Sequence, residues 1–350
     1  MSAYGDGRWL YDGLRPMLPP PILMDIWEQY EPILDGIAKS FAPVMGIMTG
    51  YYAQNIRIAV RYYDKLESPP RQYIWFNLYW MQFLAELLEA GQREQSSCFL
   101  ALAHRCWRDL CDDSDPKQQD WWRYHEYRRR QFGSAEFSGR ALREASLGVL
   151  FAMLHETAHL THDYRVLAEE LVNSDTLCAS LFGFAPDKNQ VAEIACDFCA
   201  LNLCLGADAS SKLVQDAGRR LEIALLSLNL ISLFNYLLQV APIRTSNAPV
   251  KAVQDSKTLM DMLDARVKPL SVMSKISQNS GMPAFDGIDI AGRINATGEL
   301  MVRFLRCVEE DLLLESQSIE AYNRMEESQK PPCQSRLAPP VHIWTRRTFE

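Results

Sequence analysis

Residues 151–164 read Phe151-Ala152-Met153-Leu154-His155-Glu156-Thr157-Ala158-His159-Leu160-Thr161-His162-Asp163-Tyr164. Inside this stretch lies H-E-x-x-H. Residues four apart on a helix lie on one face, one turn apart, so His155 and His159 can both reach a single ion. Catalytic zinc accepts imidazole nitrogens at about 2.0–2.1 Å. The glutamate between the histidines, Glu156, then lies beside the metal, where it can take a proton from water. Half of the six histidines of the chain, His155, His159 and His162, fall within eight positions. Upstream, Ala141, Ala145, Gly148 and Ala152 continue the same line at spacings of three or four. Small side chains there let another element pack closely. We therefore expect one long helix from about Ser138 to Tyr164.

Catalytic zinc needs a third protein ligand. A glycine and a histidine six residues after His159 would supply it in one class of zinc peptidase, but position 165 is Arg165, which excludes that class. The better candidate is Glu193, in Val191-Ala192-Glu193-Ile194-Ala195-Cys196-Asp197-Phe198-Cys199-Ala200. This segment predicts a second helix, 190–205, stopped by Gly206 and able to return antiparallel to the first. Asp197 follows Glu193 by four residues and could orient a ligand histidine through its far nitrogen. Two acids at this spacing in an otherwise apolar segment read as buried or paired. Glu169, Glu170 and Asp175 are the competing candidates for the third ligand.

His162 has three readings: a fourth ligand, a donor to a developing oxyanion, or a cationic cap on the helix end. Tyr164 is a weaker oxyanion candidate and reads better as a surface aromatic. Cys196 and Cys199 form a CxxC within the expected helix, with no second such pair, so small buried thiols suit them better than a redox or zinc-ribbon site.

Further out, 22–42 reads as helical, Ile58 to Tyr62 and Gln72 to Asn77 as strands, and 78–90 as a helix with Gly91 as its stop. Another helix is expected at 95–110, with a loop at 112–120. Helices follow at 211–240, 257–266 and 296–325, separated by loops at 242–256 and 277–289. The expected class is mainly α with a small β-sheet (α+β). Residues 1–135 are expected to form an N-terminal helical region with a few strands, 136–210 a metal-binding core, and 211–350 a C-terminal helical region packed on it, with a single domain as the alternative division.

The apolar share (48%) and charged share (23%) are those of a globular protein. The net charge of −8 argues against general nucleic-acid binding, which needs a basic surface. Trp121 to Arg130 mixes aromatic and basic residues and suits a solvated basic face, or the docking of an acidic protein. Residues 223–241 approach the length of a bilayer span, but Asn229, Ser232, Asn235 and Gln239 form a polar stripe, which favours a buried helix facing a polar cavity. The opening residues lack the regions of a secretory leader, and the nine cysteines are an odd number, so a cytoplasmic chain with reduced thiols is expected.

HETAHLTHDY followed by EIACDFCA resembles the gluzincin metallopeptidases, and within them the Lit-type phage-exclusion peptidases, with the ImmA/IrrE-type peptidases as close rivals. The segment QYIWFNLYWMQFLAELLEA is similar to what precedes the site in Lit-type proteins. The resemblance covers residues 148–205. It implies a zincin-like core, one zinc ion held by His155, His159 and Glu193, Glu156 as the base, and a cytoplasmic protease with a narrow protein or peptide target in phage defence or regulation. His162 stands closer to the motif than the extra histidine usual in Lit-type proteins. Two other readings compete. One is a helical regulatory or scaffold protein with a latent or structural zinc site, and the other is a membrane-attached protease using 223–241.

Overall fold

The computed structural model describes residues 45–50, 59–64, 71–93, 137–159, 188–206, 212–240, 256–279, 283–330 and 345–348, with a few single positions between them. Backbone pairing joins four short strands, Met45–Gly50 (β1), Ala59–Asp64 (β2), Arg71–Asn77 (β3) and Thr345–Thr348 (β4), in the order β2-β3-β1-β4. The β1–β3 pair is parallel, with Met45 opposite Gln72, and the outer pairs are antiparallel.

The body is helical. Its helices are Leu78–Arg93 (α1), Gly139–Ala158 (α2), Lys188–Gly206 (α3), Ala217–Val240 (α4), Ser256–Asn279 (α5) and Ile290–Arg324 (α6). One hydrophobic core runs through them, from Trp80 on α1 through Phe151, Leu201 and Leu228 to Phe304 on α6. Helix α4 packs against α2, α3, α5 and α6. A helix covered on several sides is apolar on several sides, which explains the run from Ile223 that resembles a bilayer span. Among the described residues, no helix is long and apolar enough to cross a membrane. Asn229 and Ser232, the described side chains of the polar stripe, are both buried, and Asn229 Oδ1 and Ser232 Oγ meet no hydrogen-bond partner among the described residues.

Helix α2 is fixed at its start by Ser138. The Ala141 N–H donates to Ser138 Oγ (3.2 Å), which satisfies one of the bare donors of the first turn. Ser138 in turn donates through Oγ (2.6 Å) and its backbone N–H (3.1 Å) to Glu89 of α1. The small-residue line has the expected use. A Cβ added at Gly148 would collide with Ser227 Oγ of α4 and Leu84 Cδ2 of α1, so glycine permits the close approach of both helices. One turn before Gly148, Arg219 of α4 donates to Glu144 of α2 through Nη2 (2.6 Å) and to Glu222 through Nη1 (2.6 Å). Arg293 of α6 donates to Glu222 (2.8 Å). These ion pairs tie α2, α4 and α6.

The end of α3 is set by Arg220, which is buried and donates to the carbonyls of Leu205 (3.0 Å), Val214 (2.8 Å) and Gln215 (2.8 Å). A guanidinium suits the negative end of a helix dipole and satisfies carbonyls that lack partners in the helix.

Candidate metal centre

His155 and His159 stand at the C-terminal end of α2, and Glu193 and Asp197 in the first half of α3. The fold brings these two segments together. His155 Nε2 lies 3.3 Å from His159 Nε2 and 3.3 Å from Glu193 Oε2, and His159 Nε2 lies 3.4 Å from Glu193 Oε1. The three groups approach one another at 3.3–3.4 Å, each imidazole against a different oxygen of Glu193. With zinc bonds of about 2.0–2.1 Å, the edge of a coordination tetrahedron is about 3.3–3.4 Å. The separations are of that size, and the residues fit a single small divalent cation. Among the described residues this is a group of His and acidic side chains that could hold a metal ion.

The centre is enclosed on one side only. His155 is 7% exposed, while the Glu193 side chain is 46% exposed. Asp197 is fully buried, and its Oδ1 lies 2.8 Å from His155 Nδ1 along a bent approach to the ring N–H. Burial works against charge on His155, but Asp197, then Glu193 and Glu156, outweigh it and raise its pKa to about 10. Burial likewise opposes the charge of Glu193, yet the contact with His155 and the field of Arg266 and His159 lower its pKa to about 2. The His155 shift reports the carboxylates around its ring, and the Glu193 shift the basic groups of His155, Arg266 and His159 beside it.

Sequence reading missed Arg266. Its Nε donates to Asp197 Oδ2 (2.9 Å) and its Nη2 to Asp197 Oδ1 (2.7 Å), and Nη2 also lies 3.6 Å from Glu193 Oε2. Arg266 belongs to α5, which was expected to end at 266. The helix instead runs on through Pro269 to Asn279. With neutral imidazoles, the three carboxylates of Glu156, Glu193 and Asp197 against one guanidinium leave two negative charges in excess, the complement of a divalent cation.

Glu156 follows His155 on α2, is half-buried, and acts electrostatically on both His155 and Arg266. Cys196 is buried and Cys199 half-buried; both carry thiols rather than a disulfide. His162, Tyr164, Glu169, Glu170 and Asp175 lie outside the described residues, as does the segment 121–130 except for Tyr127. No protein-family model matches the chain, and comparison with curated proteins and with solved structures finds no match.

Proposed function

We propose that this chain is a zinc-dependent metallopeptidase of the gluzincin type, which hydrolyses a peptide bond in a specific intracellular protein. The observation that carries the reading is the convergence of His155, His159 and Glu193 at 3.3–3.4 Å, with Glu156 adjoining the first of them. Two imidazoles and one carboxylate are a donor set that catalytic zinc accepts while keeping a position for solvent. The exposure of Glu193 agrees with an approach from that side.

His155, His159 and Glu193 would hold a divalent cation, which would supply Lewis-acid polarisation of water and a substrate carbonyl. Glu156 accepts the proton of the attacking water at its carboxylate and returns it to the leaving amine. His155 and His159 present Nε2 to the ion, and Asp197 holds the His155 ring from behind through Nδ1. His162 remains a candidate oxyanion donor or further ligand. The resemblance of 148–205 to Lit-type peptidases supports a zincin-like core, with α2 and α3 antiparallel, and a cytoplasmic role in phage defence or regulation.

Glu156→Gln tests the proposal. The variant is expected to keep its metal and its melting temperature and to lose cleavage, read by comparing cleaved peptides in cells that express it with those expressing wild type. Undiminished cleavage by the variant would overturn the assignment. Bound metal with no change in the peptide set under either chain would instead favour the regulatory or scaffold protein with a structural zinc.

A further inference from the structure

We infer that Arg266 is a positioning residue for the metal centre, clamping Asp197 against His155 and so making α5 part of the site. The inference rests on the reading that His155, His159 and Glu193 hold a divalent cation. The contact is a fork: two guanidinium nitrogens meet the two oxygens of one carboxylate, at 2.9 and 2.7 Å. A planar fork fixes the plane of the carboxylate as well as its place. The oxygen that receives Nη2 is Oδ1, the same one that meets His155 Nδ1. Any rotation of Asp197 about its own side chain therefore moves the oxygen that steadies the ligand ring.

Burial makes the clamp necessary. Asp197 has no solvent contact, and the Arg266 side chain is 19% exposed. A carboxylate removed from water needs compensating charge and hydrogen bonds. Arg266 supplies both, a permanent charge and a hydrogen bond to each carboxylate oxygen. Its Nη2 also reaches within 3.6 Å of Glu193 Oε2, so one group steadies both the carboxylate behind the ring and the ligand beside it.

A rival role can be separated by experiment. If Arg266 acted only as a nearby positive charge, it would repel the cation; Arg266→Met would then bind zinc more tightly, and Arg266→Lys would leave affinity unchanged. The clamp predicts the reverse. An ammonium cannot hold both oxygens, so Arg266→Lys is expected to lose about 10–100-fold in zinc affinity, the usual effect of losing an outer-shell partner.

The measurement is competition of Zn²⁺ with a chromophoric chelator on the full chain, with the visible spectrum of the Co²⁺-loaded protein as a report on ligand geometry. The lysine variant keeps the charge and is expected to fold, checked by circular dichroism of the metal-free protein. In an Asp197→Asn background the further loss from Arg266→Lys should shrink towards none, because the two residues act as one unit. Wild-type affinity in Arg266→Lys, or full additivity with Asp197→Asn, overturns the clamp. Failure of wild type itself to bind Zn²⁺ would instead overturn the metal centre.

Discussion

His155 Nε2 and His159 Nε2 lie 3.3 Å apart on successive turns of α2, and each also meets a different oxygen of Glu193. One carboxylate from α3 thus spans both imidazoles. We expect the protein to take up one Zn²⁺ per chain, counted by atomic absorption after gel filtration. His159→Ala and Glu193→Ala should each lower affinity at least tenfold. Because the ion would link two helices, saturating Zn²⁺ at 100 times the dissociation constant should stabilise the fold by about 2.7 kcal/mol. A chelator should reverse this in wild type and have at most about half that effect, about 1.4 kcal/mol or less, on His159→Ala. Equal melting temperatures with and without the chelator in wild type would count against the centre.

The metal-free chain carries a pH signature. His155 is raised from 6.5 to about 10, so its proton stabilises the fold fully below about pH 6.5, and that contribution is lost as pH rises through 10. Glu193 is lowered from 4.5 to about 2, so its contribution is present above about pH 4.5 and is lost as pH falls through 2. A cation must displace the His155 proton. Zinc binding between pH 7 and 9 should therefore release about one proton, with affinity rising about tenfold per pH unit. Calorimetry in two buffers of different ionisation enthalpy reads the proton directly, and identical heats in both would refute it.

Gly148 separates two neighbours that leave no room for a methyl group. Gly148→Ala gains about 1 kcal/mol in helix propensity, but overpacking typically costs about 1–3 kcal/mol. Both clashing neighbours are buried, so the net effect should be a loss of up to about 2 kcal/mol in urea unfolding. Ser227→Ala removes one of the two clashes and should restore part of that loss. A more stable Gly148→Ala protein would show that the helices can part without cost.

Glu89 accepts two hydrogen bonds from Ser138 and one from Arg93 (2.9 Å). The Ser138 hydroxyl is the main cause of its lowered pKa, against the opposing effect of burial. Its contribution is present above about pH 4.5 and is lost as pH falls through the lower folded value. Glu89→Gln should cost about 1.5–3 kcal/mol at neutral pH, the range for hydrogen bonds to a charged group. The difference from wild type should narrow in acid. A constant difference down to pH 3 would place the cost elsewhere.

The two helices of the centre were legible because their signals are local, although α2 ends at Ala158 with His159 as its C-cap, short of the expected Tyr164. Ser138 is a capping residue, Gly206 a stop, and the histidines and acids recur at four-residue spacing. Other boundaries failed where tertiary packing overrode a local sign. Gly91 reads as a terminator, yet α1 passes through it to Arg93, because a Cβ there would press on Leu300 of α6. Glycine at 91 serves close packing instead of termination. The helix expected to end at 266 continues past Pro269 to Asn279. Helix α6 begins at Ile290 rather than 296, since Asp289 accepts the Gly292 N–H (3.0 Å). Arg266 had no local sign at all. Its partner Asp197 is 69 positions away, and no periodicity reports a pairing between distant helices.

Glu193 is the donor with the most solvent around it, while the imidazoles are closed in behind it. Traffic in and out of the centre therefore passes the carboxylate. The histidines form a fixed floor, and swinging one flexible side chain aside opens the only wall that faces water among the described donors. Exchange of a bound ion should be paced by that rotation rather than by unfolding of a helix.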